Sequence, residues 1–313
     1  MAYDHHTKSG NQGDVIKHVA LLAALDGITS RTSARSFKFA DLFSGYAQNL
    51  LLPGNEWSKG IALVSSLASA IQNTHVQEWR SWYIPHRPVL ECGTYPGSSV
   101  IAADVCRKHN KIPRIAAWDI SPDVVQNLRA VFNNAAHRIY PFASSLTQPG
   151  AIAALRHASD ASSRSKWRAL HPVSFPADVR DVLTADFLFV DPPGLRSAKH
   201  PAYPEWATLL DVLSFCKADL EVPFLVWLPV CRNTSANASS HSIQQVRADA
   251  IGAGFKTTEV WWRGSNQQGM MGCVLIYDMP AQDVSALRDA VDDVTQAFRW
   301  IHQPQRHEPP RPP

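Results

Sequence analysis

Apolar residues recur along this chain in two rhythms. Over residues 14–29 (DVIKHVALLAALDGIT), Val15, Val19 and Leu22 fall at helical spacing, and Asp14 stands where an acidic residue favours a helix N-terminus. The spacing predicts an early helix. Short apolar runs then follow at 37–42, 114–119, 138–142, 185–191, 222–228, 256–262 and 272–278, at a spacing that suits alternating strands and helices. Several of them, such as FLFV and FLVWL, are continuous rather than alternating, as in parallel strands covered on both faces. A Gly/Asn/Gln turn between the last two suits an antiparallel return. The pattern predicts an open, doubly wound α/β sheet of seven strands.

Residues 50–92 interrupt that rhythm with helix-like segments at 57–71 and 75–83 and the Pro-marked IPHRPVL. They read as a helical insertion subdomain, leaving 1–49 and 93–302 as the core. Residues 281–301 form an amphipathic pattern, and 303–313 is a Pro-rich tail expected to be disordered. Two polar, low-complexity connections, around 164–168 and at 233–242, are expected to be mobile, and no internal repeat is visible.

Composition narrows the class. The 313 residues are 45% hydrophobic and 18% charged, and no apolar run approaches the roughly 18 residues of a membrane span, so no membrane association is expected. The polar start shows no secretory h-region, and the five cysteines (Cys92, Cys106, Cys216, Cys231, Cys273) contain no CxxC pair. The expectation is a cytoplasmic protein without a disulfide framework or a metal site. Thirty basic against 27 acidic residues give a net charge of +3, a weak lean toward anionic partners.

The sharpest chemistry is in ADFLFVDPP, an apolar strand that delivers Asp191, Pro192 and Pro193 at its carboxyl end, where ligands bind in open α/β sheets. Two prolines remove two backbone donors and leave carbonyls beside a carboxylate, a clamp for an amino group. The alternative is an ordinary strand-terminating turn. The first strand runs into FADLFSGYA, a small-residue turn that lets a cofactor approach the backbone, but GxGxxG is absent and a nicotinamide dinucleotide is not supported. Asp119, in WDISP, stands either as an acid for vicinal ribose hydroxyls or as a helix cap. Ser98, in YPGSS, can cap the helix that runs to His109.

Taken in order, GNQGDVIKH (10–18), WSKGI (57–61), YPGS (95–98), DPP (191–193), WLPV (227–230) and GMMG (269–272) resemble the J-type 23S ribosomal RNA adenine-N6 methyltransferases, over residues 3–280. The resemblance implies a Rossmann-like class I methyltransferase with a seven-stranded sheet and a helical subdomain inserted after the first strand. It implies S-adenosyl-L-methionine as cofactor, RNA as partner and Asp191 as the catalytic aspartate, with Pro192 and Pro193 beside it. Cofactor contacts would fall to Lys17, His18, Ser98, Asp119, Ser144 and Ser145, and to Asp41, Phe43 and Gly45 of the first-strand turn. Substrate contacts would fall to Tyr3 and Asn11.

The chain departs from that pattern where it matters most. The family carries an aromatic after DPP that stacks on the flipped adenine, and here position 194 is glycine. Base–aromatic stacking is worth roughly 1–3 kcal/mol, so its loss handicaps an adenine extruded from RNA. Tyr203 or Trp206 can take over that role, or the pocket can serve a small-molecule or peptide amine instead. Phe43 replaces a histidine, Ala47 a glycine, and Asp119 the usual glutamate. Arg164, Lys166, Arg168, Arg196 and Lys199, with His171 and His200, are candidate phosphate contacts; Trp227 reads as core. A non-catalytic RNA-binding relative is the remaining alternative.

Overall fold

The structure, a computed structural model, describes residues 9–51, 56–66, 71–83, 93–158, 175–196, 203–231, 243–261 and 270–301. Its main sheet is built from β1 (Ser36–Asp41), β4 (Ile112–Trp118), β5 (Arg138–Tyr140), β6 (Phe187–Val190), β7 (Phe224–Cys231), β8 (Lys256–Trp261) and β9 (Met270–Asp278), in the order β5-β4-β1-β6-β7-β9-β8. All neighbours are parallel except β9, which runs antiparallel to both β7 and β8. Counted along the chain this is 3-2-1-4-5-7-6, a Rossmann-like, doubly wound arrangement closed by an antiparallel last strand.

The continuous apolar runs form strands here because both faces of the sheet are covered, and the residues of each run divide between the faces with period two. Phe37, Phe39, Phe187, Phe189, Leu225, Trp227, Cys273, Leu275 and Tyr277 enter one core cluster. Their neighbours Ala40, Leu188, Val190, Phe224, Val226, Val274 and Ile276 enter the other. The first cluster packs under α1 (Gln12–Arg31), α4 (Ser98–Lys108) and α10 (Ala281–Ile301); the second packs under α6 (Ala151–His157), α7 (Ala177–Leu183), α8 (Trp206–Phe215) and α9 (Ile243–Gly252). The remaining helix of the core, α5 (Pro122–Val131), follows β4.

The antiparallel pair β2 (Gln48–Leu50) and β3 (Thr94–Pro96) stands apart from the main sheet, and the chain between them leaves and re-enters the core there. Three residues are too few to show a period, which is why the sequence gives no sign of either strand. Between them lie a short turn (Glu56–Lys59), α2 (Ile61–Ser66) and α3 (Thr74–Tyr83). Ile61, Val64, Val76 and Trp79 are buried in the same cluster as α1 and α10, so the insertion shares the core of the sheet it interrupts. The connections around 164–168 and at 233–242, and the tail at 303–313, lie outside the described residues. Among the described residues no helix is long and apolar enough to cross a membrane.

Candidate active site

The strand order reverses beside β1, so its carboxyl end and those of β4 and β6 open a crevice. Each strand delivers an acid there: Asp41 ends β1, Asp119 follows β4, and Asp191 follows β6. Asp41 is in register with Phe189, two residues before Asp191, which sends both carboxylates out of neighbouring strands at one end of the sheet.

Asp41 is fully buried. Its Oδ2 accepts from the hydroxyls of Ser98 at 2.5 Å and Ser99 at 3.3 Å, the first two residues of α4. Its Oδ1 has no hydrogen-bond partner among the described residues. Burial pushes its carboxyl up to about 6, against the opposing pull of the serine hydroxyls and Lys17. Ser98 was expected to cap α4 with its side chain; instead Gly97 holds the cap position without a side-chain bond, and the Ser98 hydroxyl is spent on Asp41. Glycine is required at 97 because a Cβ would collide with the Tyr46 carbonyl oxygen.

Lys17 reaches across from α1. Its ammonium donates to Asp191 Oδ2 at 2.7 Å and to Asp14 Oδ1 at 2.9 Å, and it lies 5.4 Å from the centre of the Trp227 ring. Asp14 is fixed in turn by the Gly10 backbone N–H at 2.9 Å. The Lys17 and Asp191 side chains keep only 11% and 17% of their exposure, enough to open onto the crevice and little enough to strengthen the pair. Burial pushes the Asp191 carboxyl up to about 7 although Lys17 pulls it down; burial also disfavours the Lys17 ammonium, but Asp14 and Asp191 together hold it well above its ordinary range.

His18, expected beside the cofactor, packs against the ring of Tyr95. It is buried with Nδ1 2.6 Å from the Tyr95 hydroxyl, and burial pushes its imidazole down to about 3, so it is neutral. Asn11, expected to touch substrate, is the N-cap of α1: its Oδ1 accepts from the Asp14 N–H at 3.0 Å while its Nδ2 donates to Glu56 at 3.2 Å. Asp119 accepts backbone N–H groups from Ser121 at 2.7 Å and from Gly45 at 3.2 Å, and burial raises its carboxyl. Gly45 sits at φ +62°, a conformation glycine adopts without strain. Phe43 packs against the second core cluster. Ser144 is buried and caps the short turn Ser145–Thr147 through Leu146 N–H, while the Ser145 N–H donates to Asp178.

Beyond Asp191, Gly194 has φ +157°, and a Cβ built there would lie 3.3 Å from two ring carbons of Tyr203. The ring of Tyr203 therefore covers the turn at the position where the family carries its aromatic. Trp206 does not share that role: it is buried in the second core cluster with its indole N–H on Asp249 at 3.0 Å. Arg196 pairs with Glu205. Tyr3, Arg164, Lys166, Arg168, His171, Lys199 and His200 lie outside the described residues, as does most of the glycine-bounded segment before Met270.

Sequence reasoning missed Asp14 and Ser99 as members of these networks and took Trp227 for core alone. The i,i+3 spacing of Asp14 and Lys17 was a visible signal for their pair. Nothing local marked Lys17 and Asp191, 174 residues apart, as partners. Cys106, Cys216 and Cys273 are free and buried, and burial pushes their thiols up. Among the described residues no group of three or more His, Cys, Asp or Glu side chains is arranged to hold a metal.

No family model matches the chain, and no curated protein does. Among solved structures, protein LPL1258 from Legionella pneumophila str. Philadelphia 1, of the DUF519 family model, superposes with a TM-score of 0.62 at 18% identity. The alignment covers 93% of this chain and 94% of that one, which shows a shared fold. Aeropyrum pernix fibrillarin, solved with natively bound S-adenosyl-L-methionine, aligns at a TM-score of 0.28 and 15% identity over 58% of this chain and 62% of that one. Human methyltransferase-like protein 13, solved with SAH, aligns at 0.37 and 13% identity over 90% of each. These last two likenesses are too loose to bear on the site.

Proposed function

We propose that this chain is an S-adenosyl-L-methionine-dependent N-methyltransferase acting on an aromatic amine, with the N6 amino group of an adenine in RNA, ribosomal RNA first, as its acceptor. One observation carries the reading: Asp41, buried, and Asp191, partly buried, emerge side by side from β1 and β6 at the strand-order reversal, and Asp191 is followed by two prolines.

The residues fit the cofactor. A buried carboxylate oxygen without a partner is costly, and Asp41 Oδ1 supplies the acceptor that an α-ammonium group needs. Asp119 uses each oxygen once on a backbone N–H and keeps lone pairs for vicinal hydroxyls, while Gly45 lets the chain pass close by. The cofactor would supply a methyl group on a sulfonium centre. Asp191 and the Pro192 carbonyl would accept the two N–H groups of the acceptor, holding its nitrogen in line and stabilising charge that develops there. As the N–C bond forms, the methyl–sulfur bond would break and the sulfonium would leave as the neutral thioether of SAH; the nitrogen must then lose a proton, and a carboxyl titrating at about 7 is matched to receive it. Tyr203, whose ring lies against Gly194, is the aromatic that would meet an aromatic acceptor at this turn. The same ring takes up space beside Gly194 that the small-molecule or peptide amine reading draws on, which supports the aromatic acceptor.

The test is mass spectrometry of ribosomal RNA nucleosides from cells with and without the gene, paired with transfer of labelled methyl groups by the purified protein. The expected result is one N6-methyladenosine lost with the gene and restored by the wild-type protein. An unchanged nucleoside profile, with label entering a small amine instead, would replace the acceptor and keep the reaction.

A further inference from the structure

We infer that Lys17 is a positioning residue for Asp191 and does not bind the cofactor's carboxylate, an inference that rests on the methyltransferase reading above. An ammonium group has three protons to place. Here one goes to Asp14 at 2.9 Å and one to Asp191 at 2.7 Å, and the Trp227 ring lies 5.4 Å away on a third side. Asp14 is itself tied to the Gly10 N–H and sits one turn back on the same helix, so the lysine is braced from behind. A Lys17 that swung to a ligand would leave two partly buried carboxylates without their cation, which is the costly arrangement.

The consequence for Asp191 is both geometric and electrostatic. Lys17 takes one acceptor site of Oδ2, which leaves Oδ1 the freer oxygen for the acceptor amine. The charged groups that face Asp191 are Lys17 and Asp14 from α1 and Asp41 from β1, with the neutral thiol of Cys273 on β9 nearby. Asp14 and Asp41 both favour a protonated Asp191, and Lys17 alone opposes them. Lys17 therefore decides whether the residue that receives the proton is a carboxylate at neutral pH.

The experiment follows the Asp191 side-chain carboxyl by carbon-13 NMR against pH, its signal assigned with Asp191→Asn, in wild type, Lys17→Met and Lys17→Arg, with and without SAH. Calorimetry gives SAH affinity for each protein, and thermal unfolding confirms that each is folded. Lys17→Gln carries the same expectation should the methionine variant not fold. The expected result is a titration midpoint that moves to higher pH in Lys17→Met and returns in Lys17→Arg, with SAH affinity changed by less than about threefold. A loss of SAH affinity of about tenfold or more with the Asp191 midpoint unmoved would make Lys17 a cofactor ligand and overturn the inference. If wild type binds no SAH at all, the methyltransferase reading fails on its own, and the midpoint shift in the ligand-free protein still decides whether Lys17 governs Asp191.

Discussion

Asp41 and Asp191 are alike in position and unlike in company. Both are carboxylates at the carboxyl ends of adjacent parallel strands, and burial pushes both up, to about 6 and about 7. Asp41 is held by neutral hydroxyls from the start of a helix and keeps one oxygen without a partner. Asp191 is held by a partly buried lysine braced against a second acid. A neutral cradle keeps an acid available for a cationic ligand, whereas a fixed cation keeps an acid charged and aimed. On the proposed function, the same strand-end chemistry divides into a binding acid and a reacting acid.

The largest expected effect breaks the comparison on the reacting side. Asp191→Ala removes the group proposed to meet the acceptor, and methyl transfer is expected to fall by about 10²–10³ or more while SAH affinity stays near wild type. Full turnover in a methylation assay would remove Asp191 from the chemistry. The same assay run against pH is expected to show activity falling below about 7, because Asp191 is raised by burial and must be ionised to take a proton.

Next is the aromatic acceptor. Tyr203→Ala is expected to weaken acceptor binding by about 5-fold to 150-fold, the range of one base–aromatic stack, and Tyr203→Phe to leave it nearly unchanged. Titration with an adenine-containing oligoribonucleotide checks both. Equal affinities for wild type and the alanine variant would move the stacking surface elsewhere.

On the binding side, Asp41→Asn is expected to weaken SAH and to stabilise the fold. A carboxyl raised in the native state binds more protons there than in the unfolded chain, so between about 4 and 6 stability falls as pH rises. The asparagine variant escapes that loss. Its advantage, up to about 2–3 kcal/mol, should be complete above pH 6 and fade toward pH 4 in thermal unfolding. An advantage independent of pH would mean that Asp41 is not the titrating group. The smallest effect separates structure from site: Asn11→Ala should cost about 1 kcal/mol of stability as a lost cap and leave acceptor affinity unchanged.

Much of this was legible because apolar pattern and burial coincide. The helix at 281–301 appears as Ala281–Ile301, and the run at 37–42 as Ser36–Asp41, since each buries the face that its period predicts. The site was legible in its acids and not in their partners. Asp191 stood out because DPP follows a buried strand, but the cation that governs it comes from a helix at the other end of the chain. Ser98 reads equally well as a cap or a ligand, and only the approach of Asp41 decides. Tyr203 and Trp206, three residues apart, have equal claims as aromatics until the fold sends one to Gly194 and the other into the core. Pairings across such distances are set by topology, which local propensity does not encode.

The central claim is that β1 and β6 deliver one acid to bind S-adenosyl-L-methionine and another to the acceptor. Calorimetric titration of wild-type protein with SAH at neutral pH, alongside Asp41→Asn and Asp191→Ala, tests it most directly. Saturable one-site binding in wild type and Asp191→Ala, with marked weakening in Asp41→Asn, is the predicted result; no binding to wild type at millimolar SAH would contradict it.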